Sequence, residues 1–215
     1  MSLAAQATPV RRLRPPLVRA VFWLALALLA LVLVGMSLGL RPDLSQKARE
    51  TVFVVGAAAA LLTGFLAALA AFMASLPDRS RLWLVLPAPA FAVWASTIGY
   101  GCVTAWVDLG DDGVRFADLA GCLATIALTS VPLSAAMLLM LRHAAPLRPA
   151  AATMMGGLAV AAMTAAGLLL VHALDATIMI LAWNFGTAIV ITALGGLFGR
   201  RMLSWVAMRA VPQLR

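Results

Sequence analysis

The chain is poor in charge and poorer in reactive chemistry. Only 11% of its 215 residues are charged, and it holds two cysteines, two histidines and one tyrosine. None of its Lys, Arg, Asp or Glu lies in the middle of its long apolar runs. Transporters and proton pumps place ionisable groups inside their spans to bind or relay cargo, so this absence argues against both. No nucleophile stands with its base, no glycine loop is built for phosphate and no side-chain set has zinc spacing. The sequence therefore calls for no cofactor and reads as a non-enzyme. The turn Asp108-Leu109-Gly110-Asp111-Asp112-Gly113 begins like a calcium loop. Its twelfth position would be Leu119, where a bidentate Glu is required, so it reads as an acidic solvated turn. No stretch interleaves bases with stacking aromatics, so the net charge of +8 gives no footprint for direct nucleic-acid binding.

What is abundant is apolar surface, at 64% of residues. Six runs, 20–40, 51–76, 82–105, 119–141, 150–171 and 177–199, are each long enough to cross a bilayer. Without water, backbone groups must pair internally, which makes these runs helices, and no run alternates as a barrel strand does. The fold class expected is all-α: a polytopic integral membrane protein, a bundle of six transmembrane helices. The first run is too long for a signal-peptide core and lacks a small-residue cleavage site, so it is expected to remain as a span. The chain divides into a short basic tail (1–19), a membrane domain (20–205) and a second tail (206–215).

Prolines and glycines punctuate the runs. Pro9, Pro15 and Pro16 disfavour helix before the first span. Pro87, Pro89 and Pro132 lie inside spans three and four and are expected to bend them. Gly35–Gly39 and Gly195–Gly199 have the spacing that lets helices pack closely. Short turns after Leu76 and at 143–149 predict that spans two and three, and four and five, are antiparallel neighbours.

The charges that exist are sorted by side. The tails and even-numbered turns hold 12 bases and one acid, Asp78, whereas the opposite turns hold 4 bases and 7 acids. Cytoplasmic loops favour Lys and Arg, so both termini are expected in the cytoplasm. Most of the basic charge is accounted for by topology and by attraction to anionic headgroups.

Few side chains remain that could carry a function. Asn184 lies deep in the last run and reads most simply as an interhelical hydrogen bond. His143 and His172 fall on opposite sides and cannot share one metal. Cys102 and Cys122 are placed at similar depth near the acidic side, on consecutive helices. Two readings stand: a thiol pair that senses oxidant or metal, or two small cysteines packed like Ala. A disulfide would need Cα atoms about 4.4–6.8 Å apart.

Several span-end motifs occur in order: Pro9-Val10-Arg11-Arg12-Leu13-Arg14-Pro15-Pro16, Leu38-Gly39-Leu40-Arg41-Pro42-Asp43-Leu44, Ala74-Ser75-Leu76-Pro77-Asp78-Arg79-Ser80, Gly101-Cys102, Cys122-Leu123, Ala145-Pro146-Leu147-Arg148-Pro149 and Gly199-Arg200-Arg201. Together they resemble the NrsF-type family of six-span bacterial membrane proteins, from about Pro9 to Trp205. The resemblance implies a membrane anti-sigma factor that sequesters an extracytoplasmic-function sigma factor and releases it on heavy-metal or oxidative stress. It implies that Cys102 and Cys122 are the sensing pair. It also directs attention to cytoplasmic contacts: Arg11, Arg12 and Arg14 in the tail, Asp78, Arg79 and Arg81 in the first basic turn, Arg148 in the second, and Arg200 and Arg201 after the last span. The competing classes are a small-molecule permease or lipid-interacting protein, and a structural subunit of a membrane complex. The oligomeric state is left open.

Overall fold

The computed structural model describes residues 15–76, 80–107, 116–142 and 149–171, with side chains in 15–76, 80–100, 124–142 and 150–171. Every regular element among them is helical: α1 (Pro16–Leu38), α2 (Leu44–Lys47), α3 (Thr51–Ala74), a 3₁₀ turn (Arg81–Val85), α4 (Ala88–Val107), α5 (Phe116–Arg142) and α6 (Pro149–Val171). Five segments are long and apolar enough to span a membrane: Pro16–Leu38, Thr51–Ala74, Arg81–Tyr100, Ala124–Arg142 and Ala150–Val171. The chain is thus an all-helical membrane protein over the first five expected runs. The sixth run, with Asn184 and Gly195–Gly199, lies outside the described residues.

Helix boundaries differ from expectation where proline and glycine decide them. α1 begins at Pro16 with Pro15 as its N-cap. Proline suits the first helical position because its fixed φ is helical and no N–H is needed there. Arg19, assigned by sequence to the tail, therefore lies in the first turn of α1. At the other end Gly39 stops the helix at φ 81, ψ 156, a conformation that side-chain-bearing residues rarely adopt. The Gly35–Gly39 spacing thus terminates a helix: a Cβ on Gly39 would meet nothing within 4 Å. Pro87 and Pro89 do not bend a continuous span. The Pro87 carbonyl accepts the Phe91 N–H at 2.9 Å, so both prolines lie at the start of α4, after the 3₁₀ turn. α5 runs unbroken through Pro132, whose ring leaves the Leu128 carbonyl without its usual donor.

The helices are apolar on all sides, as a lipid-facing bundle requires. α1 buries Arg19, Ala20, Trp23, Ala27, Leu31 and Val34, and turns Val21, Phe22, Leu28, Leu29 and Leu33 outward. Lipid tails are as apolar as leucine, so close packing rather than water expulsion must join such helices. α3 supplies it with Gly56, Ala60, Gly64 and Ala68, one residue every four. α6 meets α3 along Ala159, Val160 and Met163. At Gly64 the Met163 side chain packs so closely that an added Cβ would lie 2.9 Å from its Cε and 3.1 Å from its Cγ.

The remaining helices surround this pair. Gly56 lies against Thr97, and Ala59 and Ala60 cluster with Trp94, which makes α3 and α4 antiparallel. Gly156 lies against Met137 and Leu141, and Gly167 against Thr129, which makes α5 and α6 antiparallel. These are the two neighbour pairs that the short turns require. α1 closes the bundle on α5: the fully buried Trp23 donates its indole N–H to the Leu133 carbonyl at 3.2 Å.

Gly64→Leu is expected to destabilise the detergent-solubilised protein by about 1–3 kcal/mol, through overpacking against Met163. Leu28→Ala, at the lipid-facing position 64% exposed, is expected to change stability by less than about 0.5 kcal/mol. Thermal unfolding followed by circular dichroism in one detergent checks both.

Candidate functional site

Among the described residues, buried hydroxyls such as those of Thr63 and Thr129 bond within their own helices, whereas the buried Thr164 Oγ1 has no hydrogen-bond partner. Thr63 donates to the Ala59 carbonyl and Thr129 to the Thr125 carbonyl, each at 2.7 Å. Charge enters the buried structure at the two ends of the bundle, through Arg19 and Arg41, which are 8% and 5% exposed.

Arg19 lies at the basic end. Its side chain continues the buried stripe Trp23–Ala27–Leu31 one turn back, so it points between helices. The guanidinium donates through Nη2 to the Met140 carbonyl and stacks 4.9 Å from the centroid of the Phe72 ring. Met140 lies in the last turn of α5, where carbonyls lack helical partners and the helix dipole is negative. Phe72 is fully buried in the last turn of α3, and its own carbonyl accepts the Ser75 hydroxyl at 2.6 Å. One arginine thus joins the basic ends of α1, α3 and α5.

Arg41 does the same at the acidic end with different partners. Its backbone N–H donates to the Leu170 carbonyl in the last turn of α6 at 3.0 Å. Its guanidinium grips Asp43 through two parallel bonds of 2.7 Å, from Nε and Nη2, and lies 5.6 Å from the Phe53 ring centroid in the first turn of α3. Lys47 and Glu50 add a more exposed pair at 3.1 Å.

The residues singled out in the sequence fare unevenly. Cys102 falls in α4 and Cys122 in α5, and their side chains lie outside the described set. α4 packs against α3, whereas α5 packs against α6 and α1. Arg81 is exposed at the start of the 3₁₀ turn, which the Ser80 hydroxyl caps by accepting the Leu82 N–H at 3.2 Å. Arg11, Arg12, Arg14, Asp78, Arg79, Arg148, Arg200 and Arg201 lie outside the described residues, as do the 108–113 loop and both histidines. Among the described residues, no group of three His, Cys, Asp or Glu could hold a metal. Sequence reasoning missed Arg19 and Arg41 by counting them as loop charges. The available signal was the four-residue spacing from Arg19 to Trp23, Ala27 and Leu31.

Comparison with known protein families gives a match over nearly the whole chain. The family model described as negative regulator of sigma F (NrsF) matches residues 3–205. No curated protein and no solved structure matches the chain.

The acidic end has a titration that can be tested. The hydrogen bonds from Arg41 hold the Asp43 carboxyl below the ordinary aspartate range. Its folded pKa lies below its unfolded one, so the pair's stabilisation is complete above the ordinary value and is lost as pH falls through the depressed one. Asp43 is about a third exposed at its side chain (32%), so solvent screening keeps the effect small. The unfolding temperature of the wild type is expected to fall on acidification. Asp43→Asn is expected to melt lower at neutral pH and to show a weaker dependence on acid. Thermal melts across a pH series in detergent measure both.

Proposed function

The chain belongs to the NrsF family of negative regulators of sigma F, and from that premise we propose that it is a membrane anti-sigma factor of the extracytoplasmic-function class. It holds its sigma factor at the bacterial inner membrane and releases it under heavy-metal or oxidative stress. The observation that carries this reading is the family match over residues 3–205, nearly the whole chain. A membrane-embedded bundle with a sigma factor as partner supports it, because tethering removes the sigma factor from the polymerase without any catalytic step.

The sorted charges support a cytoplasmic basic end, with both termini there and a sixth span at 177–199. Every contact with the sigma factor is then made by the basic side: by Arg11, Arg12 and Arg14, by Asp78, Arg79 and Arg81, by Arg148, and by Arg200 and Arg201. Cys102 and Cys122 lie toward the opposite end and serve as the input, by oxidation or metal binding. A change there shifts α4 and α5, and α5 carries the shift to its basic end. This requires two discrete arrangements of those helices.

Two experiments test the reading. Purification of the full chain from bacterial membranes is expected to bring down a stoichiometric sigma factor. A bound small molecule with no sigma factor would favour a permease instead. Replacing Cys102 and Cys122 together by Ser is expected to abolish the induction of a sigma-dependent reporter by oxidant and by metal while leaving repression in unstressed cells. An unchanged stress response removes the sensing role from these cysteines.

A further inference from the structure

We infer that one face of α6, built around Thr164, is the seat of the sixth apolar run at 177–199, and that Thr164 and Asn184 hydrogen-bond across the contact. At 3.6 residues per turn, Gly157, Ala161, Thr164 and Leu168 share one side of α6. All four are buried, with Ala161 7% and Thr164 3% exposed. The other helices meet α6 elsewhere on its circumference. Met163 lies against Gly64 of α3, and Ala162, Ala165 and Ala166 cluster with Trp94 of α4. Gly156 lies against Met137 of α5, and Gly167 against Leu31 of α1. At one edge of the face Leu168 joins Ile126 of α5.

Thr164 makes this face more than a row of small residues. Its Oγ1 is sealed from solvent and has no hydrogen-bond partner among the described residues, whereas Thr63 and Thr129 bond back to their own helices. A buried hydroxyl left unpaired loses more than a made bond returns, so the face calls for a polar side chain at this depth. The chain supplies one. α6 ends at Val171 and the next apolar run begins at Thr177, with five residues between them. Their reach of about 20 Å is too short to recross the bilayer, so the two runs are antiparallel neighbours. Thr164 lies seven residues before Val171, and Asn184 lies seven after Thr177. At 1.5 Å per residue both fall about 10 Å from the connection, at one depth. Asn184, Ala188, Thr192, Gly195 and Gly199 recur at helical spacing, which gives the run a matching face of small residues with the amide on it. An amide both donates and accepts, so it satisfies the hydroxyl in either sense.

Thermal unfolding of the full chain in one detergent tests the pair. Thr164→Val removes the hydroxyl and keeps the branched shape. It is expected to lower the melting temperature by about 1–4 °C. In an Asn184→Leu background the same substitution is expected to leave the temperature unchanged or raise it, because the partner is already gone. A melting temperature unchanged or raised by Thr164→Val alone overturns the pair, and so do equal losses in both backgrounds. Cross-linking in membranes tests the seat without reference to stability. With Cys102 and Cys122 replaced by Ser and a protease site placed in the 172–176 connection, Thr164→Cys is combined with Asn184→Cys, or with Ala182→Cys about 200° around the helix. After oxidation and cleavage, the first pair is expected to hold the two fragments together at least about fivefold more than the second, since a disulfide forms only between closely approaching Cα atoms. Equal yields, or no joining of the first pair, overturn the placement of the run on this face.

Discussion

The rest of this bundle depends on the close approach of α3 and α6. In water, two apolar helices associate because burial removes hydrocarbon from solvent. In lipid that gain is absent, and what remains is contact between atoms at van der Waals distance. On α3, Gly64 and Ala68 provide it toward Met163 and its neighbours on α6, while Gly56 and Ala60 admit Thr97 and Trp94 of α4. The other helices are arranged by this pair. α4 leans on α3 through Trp94, α5 on α6 through Met137 and Thr129, and α1 fills the remaining side with Trp23 and Leu31.

A core of alanine and glycine holds helices close but does little to fix their ends. The ends are where the connecting segments leave the bundle. The structure places a buried arginine at each. Arg19 and Arg41 each stack on a phenylalanine of α3 and each supply an N–H donor to the last turn of a neighbouring helix. Arg19 thereby brings its charge to the negative pole of the α5 dipole, whereas Arg41 satisfies a terminal carbonyl of α6 through its backbone N–H. They differ in compensation: Arg41 has the carboxylate of Asp43, whereas the side-chain contacts described for Arg19 are a carbonyl and a ring.

The helical class and the first five spans were legible in the sequence because the bilayer imposes length and polarity, and both can be counted along the chain. Neighbour pairs joined by short turns were legible for the same reason. The roles of individual residues were less so. Pro87 and Pro89 look like kinks in a hydropathy run but start a helix, because hydropathy does not register where backbone bonds begin. Gly39 has packing spacing, yet its φ of 81 makes it a terminator. The real packing stripe on α3 was hidden by the abundance of alanine around it. Arg19 was hidden because charge near a span end is the ordinary mark of topology. Only the geometry distinguishes a guanidinium among headgroups from one inserted between helices. Most of the expected partner contacts lie outside the described residues, so the site is described at the roots of those segments.

Phe53 and Phe72 lie 19 residues apart on one unbroken helix. At 1.5 Å per residue their rings are separated by about 28 Å along the axis, close to the thickness of a bilayer's hydrocarbon layer. With an arginine fixed over each ring, α3 acts as a ruler whose two marks belong at the two hydrocarbon boundaries. A membrane of matching thickness lets the helix stand upright with both guanidinium groups at the boundary. A thinner one must tilt the helix or stretch around it. The lipid composition of the membrane thereby becomes a mechanical load on the same helix ends that the two arginines join.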